Sequence, residues 1–269
     1  MATRVLITGA TSGIGYELAK VFAREKHELI LVGRNPEKLA KVVGEISATK
    51  TVCHSILADL AQPGAADHIV TELKKQNLTV DILVNNAGIG TYGLLWELDP
   101  AKERALIATN VSAVMELTQA LLPSMIERKQ GYVLNIASVA GFAAAPFATN
   151  YYASKAFIIS FSEGLRSSLK GTGVGVTVVC PGSTSHTGFN DDISPQEKPN
   201  RFELPHLTAA QVAERAYKAM QQGRALVVTG FRNAFLVALM VHTPRRLVTE
   251  AIARGQRYVN AHNKKEPTS

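Results

Sequence analysis

The sequence predicts an α/β protein, a doubly wound parallel sheet held between two layers of helices, three layers (α/β/α) in all. Three observations carry this. Short apolar runs rich in Val, Ile and Leu recur along the chain, as strands buried on both faces require. Longer segments with helical periodicity separate them, and strict strand–helix alternation implies parallel strands joined by crossovers. The 269 residues are 46% hydrophobic and 19% charged, which suits one well-buried domain over residues 1–269.

Arg4–Thr8 (RVLIT) reads as the first strand. Gly9-Ala10-Thr11-Ser12-Gly13-Ile14-Gly15 follows, and residues 16–26 then place Leu18, Ala19, Phe22 and Ala23 on one helical face. Strand, glycine-rich turn and helix in that order make a phosphate-binding unit. The glycines let backbone approach a pyrophosphate, and the helix N-terminus offers free N–H groups and a positive dipole end. The spacing is Gly-x-x-x-Gly-x-Gly, not the commonest dinucleotide pattern. Glu28–Gly33 is the second strand. An Asp or Glu at its end would read the ribose 2′-OH of NAD; the chain has Gly33-Arg34-Asn35 instead. Arg34 suits a 2′-phosphate, which points to NADP(H).

Pro36–Ser47 is an amphipathic helix with proline in its first turn. Residues 51–57 form the third strand, and Asp59 with Leu60 follows at the ligand-binding edge. Asp59 either accepts from an adenine amine or caps a helix starting near Pro63. The fourth strand, residues 80–84, runs into Asn85-Asn86-Ala87-Gly88. A helix over residues 106–128 contains Asn110, a poor interior residue whose amide needs partners there, a kink or a water. Residues 131–137 form the fifth strand, with Ser138 at its carboxyl end. Val174–Cys180 is the sixth, stopped by Pro181-Gly182. Residues 183–207 lack periodicity and sit beyond a strand's carboxyl end, so they predict a substrate lid. A helix from Thr208 to Gln222 and a short strand over residues 225–228 close the alternation.

The stretch Asn150-Tyr151-Tyr152-Ala153-Ser154-Lys155 carries chemistry. Tyr151 and Lys155 share a helix face at i and i+4. A phenol titrates near ~10, and a neighbouring ammonium lowers that value. The pair then suits general acid/base work on an alcohol or ketone. Taken alone it would be an ordinary surface pair; its company along the chain argues otherwise.

Cys53 and Cys180 each lie in an apolar strand-like run, which suggests buried thiols in a reducing compartment. The seven histidines form no HxxxH or CxxH cluster, so no metal is expected. Val5-Leu6-Ile7 is too short for a signal-peptide core, and a cytoplasmic location is expected. The net charge of +7 is uneven: residues 224–265 hold eight Lys and Arg against Glu250 alone. That excess reads as a solvated helix face or as attraction to an anionic surface.

The ordered set Thr8-Gly9-Ala10-Thr11-Ser12-Gly13-Ile14-Gly15, Asp59, Asn85-Asn86-Ala87-Gly88, Asn110, Ser138, Tyr151-x-x-x-Lys155 and Pro181-Gly182 resembles the single-domain short-chain dehydrogenase/reductases. The resemblance spans about residues 5–228 and implies a Rossmann-like oxidoreductase fold. It implies that Tyr151 is the general acid/base and that Lys155 lowers its pKa and holds the nicotinamide ribose. Ser138 then orients substrate and tyrosine, and Asn110 holds a water in the proton relay. Gly9, Thr11, Ser12, Gly13, Ile14, Gly15, Arg34, Asp59, Leu60, Asn86, Tyr151, Lys155, Pro181 and Gly182 would bind the cofactor. Two departures stand out. Ser12 occupies the loop place where many NADP-preferring members carry a basic residue. Thr184, His186 and Thr187 compete for the threonine that touches the nicotinamide amide.

The expected pocket lining is residues 89–96 and 139–147 with the lid, including Tyr92, Leu94, Leu95, Trp96, Phe142 and Phe147. This suggests a mid-sized apolar carbonyl or alcohol; His186, Lys198, Arg201 and His206 would meet an acidic group. Residues 231–269 form a basic amphipathic extension. Its apolar stretch, residues 231–241, is too short to span a bilayer. With the helix over residues 247–259 it either packs over the pocket or a subunit interface, or makes weak peripheral membrane contact. The resemblance implies a homodimer or homotetramer, with Met115, Leu122, Phe157 and Phe161 at its interface, and no nucleic-acid partner. The competing readings are a non-catalytic NADP(H)-binding regulator and a membrane-associated scaffold.

Overall fold

The structure, a computed structural model of the chain, describes residues 3–185 and 207–263. Its strands are β1 (Arg4–Thr8), β2 (Glu28–Gly33), β3 (Cys53–Leu57), β4 (Ile82–Asn85), β5 (Gly131–Ile136) and β6 (Val174–Cys180). Then come the short pair β7 (Thr184–Ser185) and β8 (Leu207–Thr208), and finally β9 (Leu226–Val228). Seven of them form one sheet in the order β3-β2-β1-β4-β5-β6-β9, and every pairing is parallel. The chain starts at β1, runs outward to β3, then returns to β4 on the other side of β1. Consecutive crossovers therefore diverge between β1 and β4, and a crevice opens there at the strands' carboxyl ends.

The two-residue period of β1 shows how the core is shared. Val5 and Ile7 pack to one side with Leu18 and Phe22 of α1 (Gly13–Arg24) and Leu39 and Val42 of α2 (Pro36–Ser47). Leu6 packs to the other side with Ile69 and Leu73 of α3 (Ala65–Lys75). All of these are nearly or wholly inaccessible to water. Each fully buried Leu or Phe contributes about 1.5–3 kcal/mol, which is why such central strands read as unbroken apolar runs.

The predicted helix over residues 106–128 is not one regular helix. It is α4 (Pro100–Ile107), a π-helical turn at Ala108–Ser112, and α5 (Ala113–Glu127). Residues 100–127 are apolar and long enough to cross a membrane by composition, but Leu117 and Met125 are spent on the core. After β5 come a 3-10 turn at Val139–Phe142 and α6 (Thr149–Ser168), which starts two residues before Tyr151. α7 (Ala209–Gln221) begins at a capping box in which Thr208 and Gln211 serve each other's backbone N–H. α8 (Phe231–His242) and α9 (Arg245–Asn263) follow β9.

Two strands are shorter or shifted against expectation. β3 starts at Cys53, not residue 51, with Val52 58% exposed, and β4 starts at Ile82, not residue 80. α3 is capped by Gly64 at φ 75°, so Asp59 is not its N-cap. Cys180 is fully buried but Cys53 only half so; both are free thiols.

Candidate active site

A cavity of about 640 Å³ runs along the carboxyl edge of the sheet. Gly9, Thr11, Ser12, Gly13, Ile14, Arg34, Asp59, Leu60, Asn86, Ser138, Tyr151, Lys155, Pro181 and Gly182 all line it. Gly15 and Asn110, also predicted, stand behind the wall.

The turn after β1 is held open by sterics and by one side-chain clasp. Gly9 and Gly13 adopt φ 65° and 55°, a region that favours glycine. A methyl on Gly15 would run into the Gly9 carbonyl and the Asn86 amide. Asn86 Nδ2 donates to Thr8 O at 2.9 Å and Gly9 O at 3.2 Å. Thr8 Oγ1 in return accepts from the backbone N–H of Asn86 and Ala87 at 3.0 and 3.1 Å. The ends of β1 and β4 are thus tied across the switch point. Ser12 is the N-cap of α1, yet its side chain makes no capping bond, and the first turn holds no acid. An anion at this helix start meets N–H donors and no competing carboxylate. At the end of β2, Arg34 lies exposed on the cavity rim, and a methyl on Gly33 would meet Thr11 Cγ2 at 2.7 Å. Asp59 Oδ1 accepts from Ala61 N–H at 3.1 Å, which shapes the rim beside Leu60. These features fit the diphosphate and adenosine half of a nicotinamide dinucleotide.

α6 brings Tyr151 and Lys155 onto one face, with Lys155 Nζ 5.8 Å from the Tyr151 ring centroid. Lys155 is 5% exposed and donates to Ile136 O at 3.1 Å. Burial pulls its pKa down from 10.5 to about 8. A thiolate at Cys180 would oppose that, but burial pushes this thiol up to about 12, so it stays neutral. At neutral pH the Lys155 ammonium therefore persists beside a phenol, in the geometry that favours phenolate. Ser138 Oγ accepts from Ala140 N–H at 3.1 Å and donates to Pro181 O at 3.4 Å, joining the ends of β5 and β6. The neighbouring Tyr152 is half-buried, and partial desolvation raises its pKa and keeps it a neutral phenol.

Behind this pair lies a polar network. Asn110 sits in the π turn and is 1% exposed. Its amide exchanges two hydrogen bonds with Ile89, donating to the carbonyl and accepting from the N–H, both at 2.9 Å. Asn110 Nδ2 also donates to Ser154 Oγ at 3.1 Å, and Ser154 donates to Tyr151 O at 2.7 Å. A methyl on Gly88 would meet Lys155 Nζ at 3.3 Å and Asn110 Oδ1 at 3.4 Å, so both side chains converge on that glycine. The start of α6 is held separately. Its N-cap is Ala148, with no side-chain cap and no acid in the first turn. The 8%-exposed carboxylate of Glu103 on α4 accepts from Asn150 Nδ2 at 2.6 Å, one residue before Tyr151. It supplies the negative charge this helix start lacks.

The sequence pointed to neither Glu103, Ser154 nor the role of Thr8. Each acts through a partner distant in the chain, and no periodicity marks such a residue. Part of the expected lining is displaced. Residues 94–98 coil into turns that leave Leu95 and Trp96 47% and 80% exposed. Phe147 stacks on Tyr92 at 5.8 Å, and only Tyr92 of the two lines the cavity. Met240, Ile252 and Gln256 from α8 and α9 line it instead. Thr184 is 8% exposed and donates to Gly182 O at 3.0 Å. His186, Thr187, Lys198, Arg201, His206 and most of the expected lid lie outside the described residues. Among the described residues no three His, Cys, Asp or Glu gather as metal ligands.

A family model described as short chain dehydrogenase matches residues 3–198. The ketoacyl reductase HetN of Nostoc sp. (strain PCC 7120 / SAG 25.82 / UTEX 2576) is 35% identical over 228 residues, 83% of this chain and 77% of that protein. A solved 7beta-hydroxysteroid dehydrogenase superposes with TM-score 0.83 at 25% identity, covering 93% of this chain and 96% of the other. A short-chain dehydrogenase from Sphingobium yanoikuyae in complex with NADPH superposes with TM-score 0.76 at 27% identity, covering 90% and 97%.

Proposed function

This chain belongs to the short-chain dehydrogenase family, an oxidoreductase family, and we propose that it is an NADP(H)-dependent enzyme acting on a mid-sized, largely apolar ketone or secondary alcohol. The observation that carries the reading is the placing of Tyr151 and Lys155 on one α6 face, in the same cavity as the uncapped start of α1. When bound, a nicotinamide dinucleotide would supply the hydride chemistry, to the carbonyl carbon in reduction or from the alcohol carbon in the reverse direction. Tyr151 gives its phenolic proton to the carbonyl oxygen. The Lys155 ammonium steadies the phenolate that remains. Ser138 offers its hydroxyl to the same oxygen, and Asn110 keeps the π turn and the Tyr151 backbone in place. The end of β2 carries Gly33-Arg34-Asn35 in place of an Asp or Glu, and the Arg34 guanidinium favours a 2′-phosphate over a free ribose hydroxyl.

The test is fluorescence titration of wild type and Arg34→Ala with NADPH and NADH, followed by a ketone panel on wild type and Tyr151→Phe. Expected is tighter binding of NADPH, a roughly 10- to 100-fold loss in Arg34→Ala that closes the gap to NADH, and turnover abolished in Tyr151→Phe. Binding without turnover would support a non-catalytic regulator; no binding of either nucleotide would sink the reading.

For assembly we propose a homodimer or homotetramer through α5 and α6. Met115 and Phe157 are 40% and 38% exposed there, and Phe157 stacks on Phe161 at 5.7 Å. A monomer by sedimentation velocity would refute this. The outer face of α8 supports weak contact with an anionic membrane: Phe231, Phe235 and Leu239 are exposed beside Arg232. Equal liposome pelleting with and without residues 231–269 would remove that idea.

A further inference from the structure

The last two helices contribute side chains to the cavity lining. α8 leaves β9, at the opposite edge of the sheet from β3, and packs on the 3-10 turn that follows Ser138. Met240 of α8 and Ile252 and Gln256 of α9 face into the cavity. Ile252 and Gln256 are four residues apart and share one face of α9. The wall contributed by the 3-10 turn is apolar, with Val139, Ala140 and Ala143. Against it, the amide oxygen of Gln256 is shielded from water and has no hydrogen-bond partner among the described residues. A buried acceptor without a partner is costly, and folded chains keep few of them. An apolar side chain at this place on α9 would close the cavity without that cost.

We propose that Gln256 sets substrate specificity by hydrogen-bonding a hydroxyl that the substrate carries away from its reacting carbonyl. The inference rests on the oxidoreductase reading and narrows it to apolar ketones with one remote hydroxyl. A hydroxyl both donates and accepts, so it satisfies the amide whichever way the amide is turned. An acidic group is a poor match here. Among the described residues the cations on the cavity wall are Arg34, at the end of β2, and Lys155, beneath Tyr151.

The test uses the full chain saturated with NADPH and a panel of cyclohexylcyclohexanones with one hydroxyl on the far ring, each against its deoxy parent. Wild type is expected to prefer the hydroxylated member of at least one pair by about tenfold or more in kcat/KM. Gln256→Leu removes that preference while turning over the deoxy parent at least as well, and Gln256→Asn retains part of it. Calorimetric binding of each pair to the NADPH complex reads the same preference without turnover. Equal binding of every pair by wild type, or a preference that survives in Gln256→Leu, overturns the proposal. A preference seen in binding but with no turnover of any ketone keeps the Gln256 assignment and removes the enzyme reading.

Discussion

Lys155→Met isolates the cost of burying a cation beside Tyr151. In the folded chain the Lys155 pKa falls from 10.5 to about 8, mainly through burial. At 1.36 kcal/mol per pH unit that is about 3 kcal/mol by which burial disfavours the ammonium. The folded pKa lies below the unfolded one, so between about pH 8 and 10.5 the unfolded state binds more protons. Stability from this group therefore rises with pH across that window, and the full penalty is present below it. The assay is urea unfolding of nucleotide-free wild type and Lys155→Met at intervals from pH 7 to pH 10. Groups remote from Lys155 contribute alike to both proteins and cancel in the difference, which then reads Lys155 with the neighbours it acts on. Wild type should gain about 2–3 kcal/mol relative to the variant across that range. A difference that stays flat, or that falls as pH rises, would refute the assignment of Lys155 as a buried, burial-depressed cation. The reading of how Tyr151 is activated would then need another source of positive charge.

Three further outcomes follow from the site's supports. Gly15→Ala should cost about 1–3 kcal/mol in denaturant unfolding, because its methyl meets the Gly9 carbonyl, and NADPH binding should weaken with it. Asn110→Ala strands the Ile89 N–H and carbonyl, at roughly 1–3 kcal/mol for each group, and faster amide exchange at Ile89 would register the loss. Glu103→Ala should lower kcat about tenfold or more with NADPH affinity unchanged, whereas Glu103→Gln keeps an acceptor for Asn150 and most of the rate. An unaltered kcat in a folded Glu103→Ala protein would show that the start of α6 holds Tyr151 unaided.

The strands could be anticipated because buried parallel strands must be apolar on both faces, and RVLIT, ELILVG and VGVTVVC are. Tyr151 and Lys155 were legible for a similar reason, since the helical repeat alone puts i and i+4 together. The break at Ala108–Ser112 was only half legible. Asn110 announced trouble inside a helix, but the π turn depends on Ile89, which is brought there by the loop after β4. Trp96 falls in the stretch 89–96 expected to line the pocket, but the turn at residues 94–98 leaves it exposed to solvent.

Local and periodic information thus determined the α/β class, the glycine turn and the pairing of Tyr151 with Lys155 on one helix face, since each is written in neighbouring residues or in a fixed helical spacing. The tertiary structure alone decided which groups support and close the site. Glu103 reaches the start of α6 from α4, and Thr8 clasps the end of β4. Met240 and Gln256 come from beyond the last strand to line the cavity. Such contacts join residues tens to hundreds of positions apart, and only the packing of layers on the sheet sets their distances.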